Sequence, residues 1–142
     1  MTRAESLFSA FRLSPSPFKK MTVISSHVLD SVLGDHAKYI RIACFRVVGD
    51  GRVPLFDIIA NDEGRIAEPV TFKTATATAT AEQSQLELVF HSAAYFAARP
   101  MVPEPPQIMP EVVVRFNVPQ GADRIHIPIM LSPHSYSIWW SA

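Results

Sequence analysis

The sequence predicts an all-β domain. Twelve prolines against five glycines, an abundance of Val, Ile, Thr and Phe, and short apolar-alternating segments separated by turn signals argue against a helical bundle. At 142 residues, with 48% hydrophobic and 18% charged side chains, the chain holds enough apolar material for one core.

Thr22 to Ser25 is the first β-prone segment, and Gly34-Asp35 marks a loop. Lys38 to Val48 follows, with Ile40, Ile42 and Cys44 alternating against Arg41, Ala43 and Phe45. Gly49-Asp50-Gly51 is a turn that joins this strand to Val53 to Ile59 as a hairpin. Asn61-Asp62-Glu63-Gly64 is a second turn, and it delivers Arg65 at a fixed corner. Thr71 to Ala81 has a strict period of two, but its small residues suit an exposed linker or a loose edge. Leu86 to Phe90 is a strand, then a loop carries Tyr95 and Phe96. Pro100 to Pro110, with five prolines, reads as an extended connector or lid. Val112 to Val118 and Ile125 to Leu131 close the domain, joined by Gln120-Gly121-Ala122-Asp123. In the last strand Ile125, Ile127, Ile129 and Leu131 face one way. His126, Pro128 and Met130 face the other, and that face is apolar enough to expect a cover, either another element or another subunit.

Thirteen basic and thirteen acidic side chains give zero formal charge, with no basic block longer than Lys19-Lys20, so nucleic acid and anionic membrane are poor partners. Apolar runs fall short of the roughly 20 residues of a membrane span. Cys44 is the only cysteine, which excludes an internal disulfide and paired-cysteine zinc sites and favours a reducing, cytoplasmic setting. Residues 1–20 form an N-terminal extension ahead of the domain at 21–142. It carries Arg3, Arg12, Lys19 and Lys20 against Glu5, with Phe8, Phe11 and Leu13 on one stripe, as an organellar targeting segment or a disordered leader would.

Two of the five histidines stand out. His27 follows a β-prone start in Ser25-Ser26-His27-Val28-Leu29-Asp30, and His126 lies mid-strand in Arg124-Ile125-His126-Ile127-Pro128. A histidine in a partly apolar strand is usually a satisfied structural group, and an arginine after a turn is usually an ordinary surface charge. Neither histidine belongs to a close His-x-x-x-His pair or to a carboxylate set with ligand spacing, so no metal is expected, and no other cofactor. No Gly-x-Ser-x-Gly elbow supports a serine nucleophile.

His27-Val28-Leu29-Asp30, Asn61-Asp62-Glu63-Gly64-Arg65 and His126-Ile127-Pro128-Ile129-Met130-Leu131-Ser132-Pro133 occur in the order found in one family. They resemble the 5-hydroxyisourate hydrolases and their relative transthyretin: Thr-His-Val-Leu-Asp near the start, and His-Tyr-His-Val-Pro-Leu-Leu-Leu-Ser-Pro near the end. Ser135-Tyr136-Ser137 is similar to the Tyr-Ser-Thr approach to the terminus, and Phe90-His91-Ser92-Ala93-Ala94-Tyr95-Phe96 to a Phe-Glu-Thr-x-x-Tyr-Trp segment. The resemblance runs from about Thr22 to the end. It implies a transthyretin-like β-sandwich of two four-stranded sheets with one short helix, assembled as a homotetramer (a dimer of dimers) with active sites in the channel between dimers.

Carried over by position, His27, Arg65 and His126 match the catalytic residues of the hydrolases. Arg124 stands where the hydrolases have the first histidine of His-Tyr-His, as in transthyretins. The chain departs from the pattern at its end, where Trp139-Trp140-Ser141-Ala142 replaces Tyr-Arg-Gly-Ser. A tail arginine would supply a fixed cation and forked donors to a planar polar substrate, whereas tryptophans offer flat apolar surface. Arg124, Ser137, Trp139 and Trp140 are therefore the candidate substrate-binding residues, although the two tryptophans could equally plug a channel or pack an interface.

The resemblance implies an enzyme using cofactor-independent His/Arg acid–base chemistry. The reaction would be hydrolytic ring opening, or a cyclisation, elimination or isomerisation through an enolate. Its substrate would be a small cyclic or carbonyl compound more apolar than 5-hydroxyisourate, in specialised-metabolite biosynthesis. Two alternatives stay open: an authentic 5-hydroxyisourate hydrolase of purine catabolism, and a non-catalytic ligand-binding protein in the manner of transthyretin.

Overall fold

The computed structural model describes residues 19–73, 84–99 and 106–142. The leader before Lys19, most of the Thr71 to Ala81 repeat and the first half of the proline-rich stretch lie outside these residues. Among the described residues, ten strands and one helix follow one another: β1 (Lys19–Asp30), β2 (Asp35–His36), β3 (Arg41–Val48), β4 (Gly51–Ile59), β5 (Arg65–Lys73), β6 (Ser84–Phe90), α1 (Ser92–Ala97), β7 (Val112–Val118), β8 (Arg124–His126), β9 (Ile129–Leu131) and β10 (Tyr136–Ile138).

They form a sandwich of two sheets. One is four-stranded in the order β4-β3-β6-β7. The other has six segments in four columns. β1 is flanked on one side by β5 and, past its end, β2; on the other side β8 and β9 run parallel to it in line, with β10 outside β9. The inner face of the first sheet supplies Ile42, Cys44, Leu86, Leu88, Phe90 and Val112; the second supplies Ile24, Val28, Ile66, Phe72, Ile129 and Leu131. This is the apolar alternation expected of two half-buried sheets.

Several elements depart from the sequence expectations for local reasons. The strand expected over Lys38 to Val48 begins at Arg41, because Tyr39 takes a left-handed φ of 63° that no strand accommodates. Its hairpin to β4 closes through Gly49-Asp50, and a bulge between Cys44 and Phe45 falls opposite Pro54, on an edge strand where a missing N–H is tolerated. β1 is much longer than Thr22 to Ser25, and β5 reaches back to Arg65, well before the loose edge that the sequence suggests from Thr71: Pro69 interrupts its pattern, yet sits harmlessly on an edge strand opposite Val23. Tyr95 and Phe96 lie on α1 and not in a loop; Phe96 is buried, and the Tyr95 hydroxyl donates to Asp30 at 2.7 Å. The strand expected over Ile125 to Leu131 breaks into β8 and β9 at Ile127-Pro128, since Pro128 cannot donate to a ladder. It does not close the domain, because β10 adds an outer strand.

Asp30, fully buried at the end of β1, holds the helix to the sheet. It accepts from Tyr95, from the Arg99 guanidinium, and from the backbone N–H groups of Val32 and Leu33 at 2.9 and 3.0 Å. Burial raises the cost of its charge, but these donors outweigh that and hold its pKa below the ordinary carboxylate value.

Gly64 is the tightest backbone position. It has φ +69°, and a Cβ there would lie 2.5 Å from the Val28 carbonyl oxygen, whereas Gly34 and Gly121 share a positive φ with open space around them. Gly64→Ala is expected to cost about 2–3 kcal/mol in urea denaturation, and Gly121→Ala about 1 kcal/mol; equal losses would remove close approach as the reason for this glycine.

Candidate active site

The register of β1 assembles the cluster. His27 pairs across to Arg65 on β5, and Ser25 pairs across to His126 on β8. Because opposed residues point to the same face of a sheet, Ser25, His27, Arg65, Arg124 and His126 share the outer face, while Ile24, Ile66, Ile125 and Ile127 turn into the core. Arg65 is fixed by its turn: Asn61 Oδ1 accepts from the backbone N–H of Glu63 and of Arg65, each at 2.9 Å, and Gly64 is locked to β1 through Val28 N–H to Gly64 carbonyl at 2.8 Å. The Arg65 guanidinium stays half-exposed, with a loose ion pair to Glu63 at 3.8 Å.

Ser25 is the hinge of the polar contacts. Its hydroxyl lies 2.8 Å from His126 Nδ1 and receives a hydrogen bond from Arg124 Nε at 3.0 Å. Burial, then Arg124, then Arg65, push the His126 pKa below 6.5, and a hydrogen bond to the Ser25 backbone pulls weakly upward. The Ser25 hydroxyl engages Nδ1, so Nε2 is the ring nitrogen left without a hydrogen-bond partner among the described residues.

His27 is lowered as well, by burial first, then by Arg65, His36 and His126, against a hydrogen bond to the Glu63 backbone. Arg65 therefore acts on both imidazoles. His27 Nε2 lies 2.9 Å from Nδ1 of His36, a residue that the sequence did not single out. Nothing in its pattern could have flagged it; only the two-residue strand β2, folded back beside the end of β1, brings it there.

The tail lies along the same sheet. Ser141 N–H donates to the His126 carbonyl at 2.9 Å and Trp139 N–H to the Pro128 carbonyl at 3.3 Å, continuing the β10 register. That register puts Ser137 opposite Met130 and places Trp139 and Ser141 on the His126 face. Trp140 falls on the other face, where it lines an apolar cavity of about 300 Å³ with Phe116, Pro119, Ile125 and Ile127. Of the candidate site residues, His27, Arg65, Arg124 and His126 thus converge. Ser137 and Trp139 flank them on the same surface, and Trp140 turns away. Among the described residues, no three His, Cys, Asp or Glu side chains group as metal ligands would, and no helix is long and apolar enough to cross a membrane.

The sequence profile of the HIUase/Transthyretin family matches residues 24–140. The chain belongs to this family. Among its relatives, the 5-hydroxyisourate hydrolase of Deinococcus radiodurans is 32% identical over 116 residues, covering 82% of this chain and 92% of that protein. 5-Hydroxyisourate hydrolase 2 of Rhizobium meliloti has the same identity and coverage. Among solved structures, Klebsiella pneumoniae 5-hydroxyisourate hydrolase superposes with a TM-score of 0.62 at 22% identity, over 85% of this chain and 99% of that one. An (S)-allantoin synthase reaches 0.67 at 25% identity, over 86% of this chain but only 44% of the synthase chain. The family's fold is thus the fold observed, and the chain is similar to hydrolase-family enzymes.

Both histidines are expected to titrate below 6.5 in an NMR pH series, with Arg124→Gln moving His126 upward because it removes the cation that acts on it more strongly. A His126 unmoved by that substitution would show that Arg124 does not act on it.

Proposed function

We propose that the chain is a cofactor-independent hydrolase that opens a ring of a small, planar cyclic carbonyl compound more apolar than 5-hydroxyisourate. The observation that carries this reading is His126, its Nδ1 held by the Ser25 hydroxyl and its Nε2 unengaged among the described residues, on the same face as Arg65. In the proposed reaction a water attacks the ring carbonyl and gives its proton to His126 Nε2. Arg65, half-exposed and beside both imidazoles, stabilises the negative charge that develops on the carbonyl oxygen. As the ring bond from that carbon to its neighbouring heteroatom breaks, the imidazolium returns the proton to the leaving atom, so acid and base are the same group at successive steps. His126 is already largely unprotonated at neutral pH because of burial and its two cationic neighbours, which suits a base.

Two features bear on the substrate. Arg65 and Arg124 keep two guanidinium groups at the site, suited to polar ring carbonyls and imide-type edges. The tail brings no cation and instead sets Trp139, 44% exposed, on the site face as a surface for stacking a flat ring. That exchange favours a more apolar ring, with a place in specialised biosynthesis. The similarity to 5-hydroxyisourate hydrolases at 32% identity favours a second reading, in which 5-hydroxyisourate itself is the substrate. We further propose a homotetramer, because Met21, Met130 and Trp139 stay exposed on the outer face around the cluster and would be covered by a facing copy. Light scattering at four times the chain mass would bear this out, and a monomer would refute it.

Absorbance assays on freshly prepared 5-hydroxyisourate and on a panel of planar cyclic imides and lactones compare the readings. The expected result is acceleration of ring opening for one of the more apolar rings. His126→Ala should lower kcat/KM by about 10²–10⁴-fold, and Arg65→Ala by about 10²–10³-fold. Preference for 5-hydroxyisourate would replace the substrate half of the proposal. Absence of turnover on every compound, with ligand-dependent tryptophan quenching, would replace catalysis by simple binding.

A further inference from the structure

We propose that His36 joins the candidate active site as a third imidazole, forming with His27 a dyad that takes up one proton as a unit. This rests on reading the cluster as an acid–base site. The contact itself is independent of any substrate.

His27 Nε2 and His36 Nδ1 lie 2.9 Å apart, and either nitrogen can be the donor. The behaviour of the dyad is the same for both assignments. Two ring nitrogens at that separation hold one hydrogen between them, so in the neutral pair one ring donates and the other accepts. When the pair gains one proton, the imidazolium, on whichever side it forms, still donates to the lone pair of its neighbour. That bond is stronger than the neutral one because its donor is charged. A second proton leaves no acceptor: N–H faces N–H, and two cationic rings stand with centroids 5.1 Å apart. One proton therefore reinforces the contact and two abolish it, which couples the two rings into a single titrating unit.

The backbone brings the rings together from separate elements. Gly34, at φ +70°, turns the chain with its N–H on the Asp30 carbonyl at 2.8 Å. The buried Ala37 donates to the Val28 carbonyl at 2.9 Å, and between these two ties Leu29 pairs with His36. Only two residue pairs join β2 to β1, so a doubly protonated dyad acts on the weakest ladder of its sheet. The charged and titratable groups that face His27 are Arg65 from β5, His126 from β8 and Glu63 from the turn. Around His36 stand Asp35, whose Oδ1 accepts from the His36 N–H at 2.7 Å, and, across a cleft of about 460 Å³ beside α1, Lys38, Arg41, His91, Tyr95 and Arg99. Arg41 and Arg99 are paired with Asp57 and Asp30. His27 thus enters the site as half of a dyad and not as an independent base, and the face that carries His126 gains a second group able to hold a proton.

NMR titration of the His27 ring in the wild-type chain and in His36→Asn tests the proposal without any substrate. Asparagine places a polar atom where Nδ1 sits but takes up no proton. In the wild type the His27 signals are expected to move in two steps separated by more than about one pH unit. In His36→Asn they should move in one step, at a pH above the lower wild-type step. Coupling of His27 to Arg65 or His126 is present in both proteins, so the difference between them reports His36 alone. Amide spectra check that the variant is folded; if it is not, His27→Asn read at the His36 ring takes its place, with the same two shapes as outcomes. One step at the same pH in both proteins, or two steps in both, would overturn the proposal. Failure of the functional reading shows differently, as absence of turnover with the two-step titration intact.

Discussion

The register of β1 is the constraint on which the site depends. This strand is flanked on both sides, by β5 along nine residue pairs and by β8 and β9 in parallel. Its period of two decides at once what is core and what is chemistry: Ile24 and Val28 fill the sandwich, and Ser25 and His27 carry the outer face. A slip of one residue would exchange these sets, burying the imidazole and exposing isoleucine, so the packing energy of the core also enforces the geometry of the cluster. Gly64 locks the neighbouring turn to the same strand, and through that turn the position of Arg65 is inherited from β1 rather than set by contacts of its own.

Electrostatics then divide the two histidines. Both are pushed toward the neutral form by burial and by Arg65, and a backbone carbonyl near each pulls the other way. What separates them is the second nitrogen: His27 meets His36, whereas no such partner faces His126 on its Nε2 side among the described residues. Ser25 and Arg124 orient the His126 ring through Nδ1, and the guanidinium beside it discourages a resting imidazolium. Two residues that look equivalent in the sequence thereby acquire different partners by position alone.

Much of this was legible in the chain itself. The ordered motifs around His27, Arg65 and His126 pointed to the family and to three residues that the fold does bring to one face. The alternation at Ile125 to Leu131 separated core from site face, apart from the break at Pro128. Other features were hidden for identifiable reasons. β5 contains a proline that reads as a breaker unless the strand is known to be an edge. β2 and β10, at two and three residues, are too short to show a period. α1 has no side-chain cap and only six residues, and it is held by Asp30, which lies over sixty residues earlier. His36 gives no local sign of its role, since its partnership with His27 exists only after the Gly34 turn has formed. The two tryptophans look alike in sequence, yet the β10 register sends Trp139 to the site face and Trp140 to the other.

One strand register holds the imidazoles in place: His27 against His36 and His126 against Ser25. Long-range nitrogen–proton correlation spectra of the imidazole rings at neutral pH report which ring nitrogens are engaged in hydrogen bonds. With β1 in the register described, His27 Nε2 and His36 Nδ1 share one hydrogen, and His126 Nδ1 carries the shift of a nitrogen bonded to the Ser25 hydroxyl. Free-imidazole shifts at His27 and His126 alike would mean that the register of β1 does not fix the cluster.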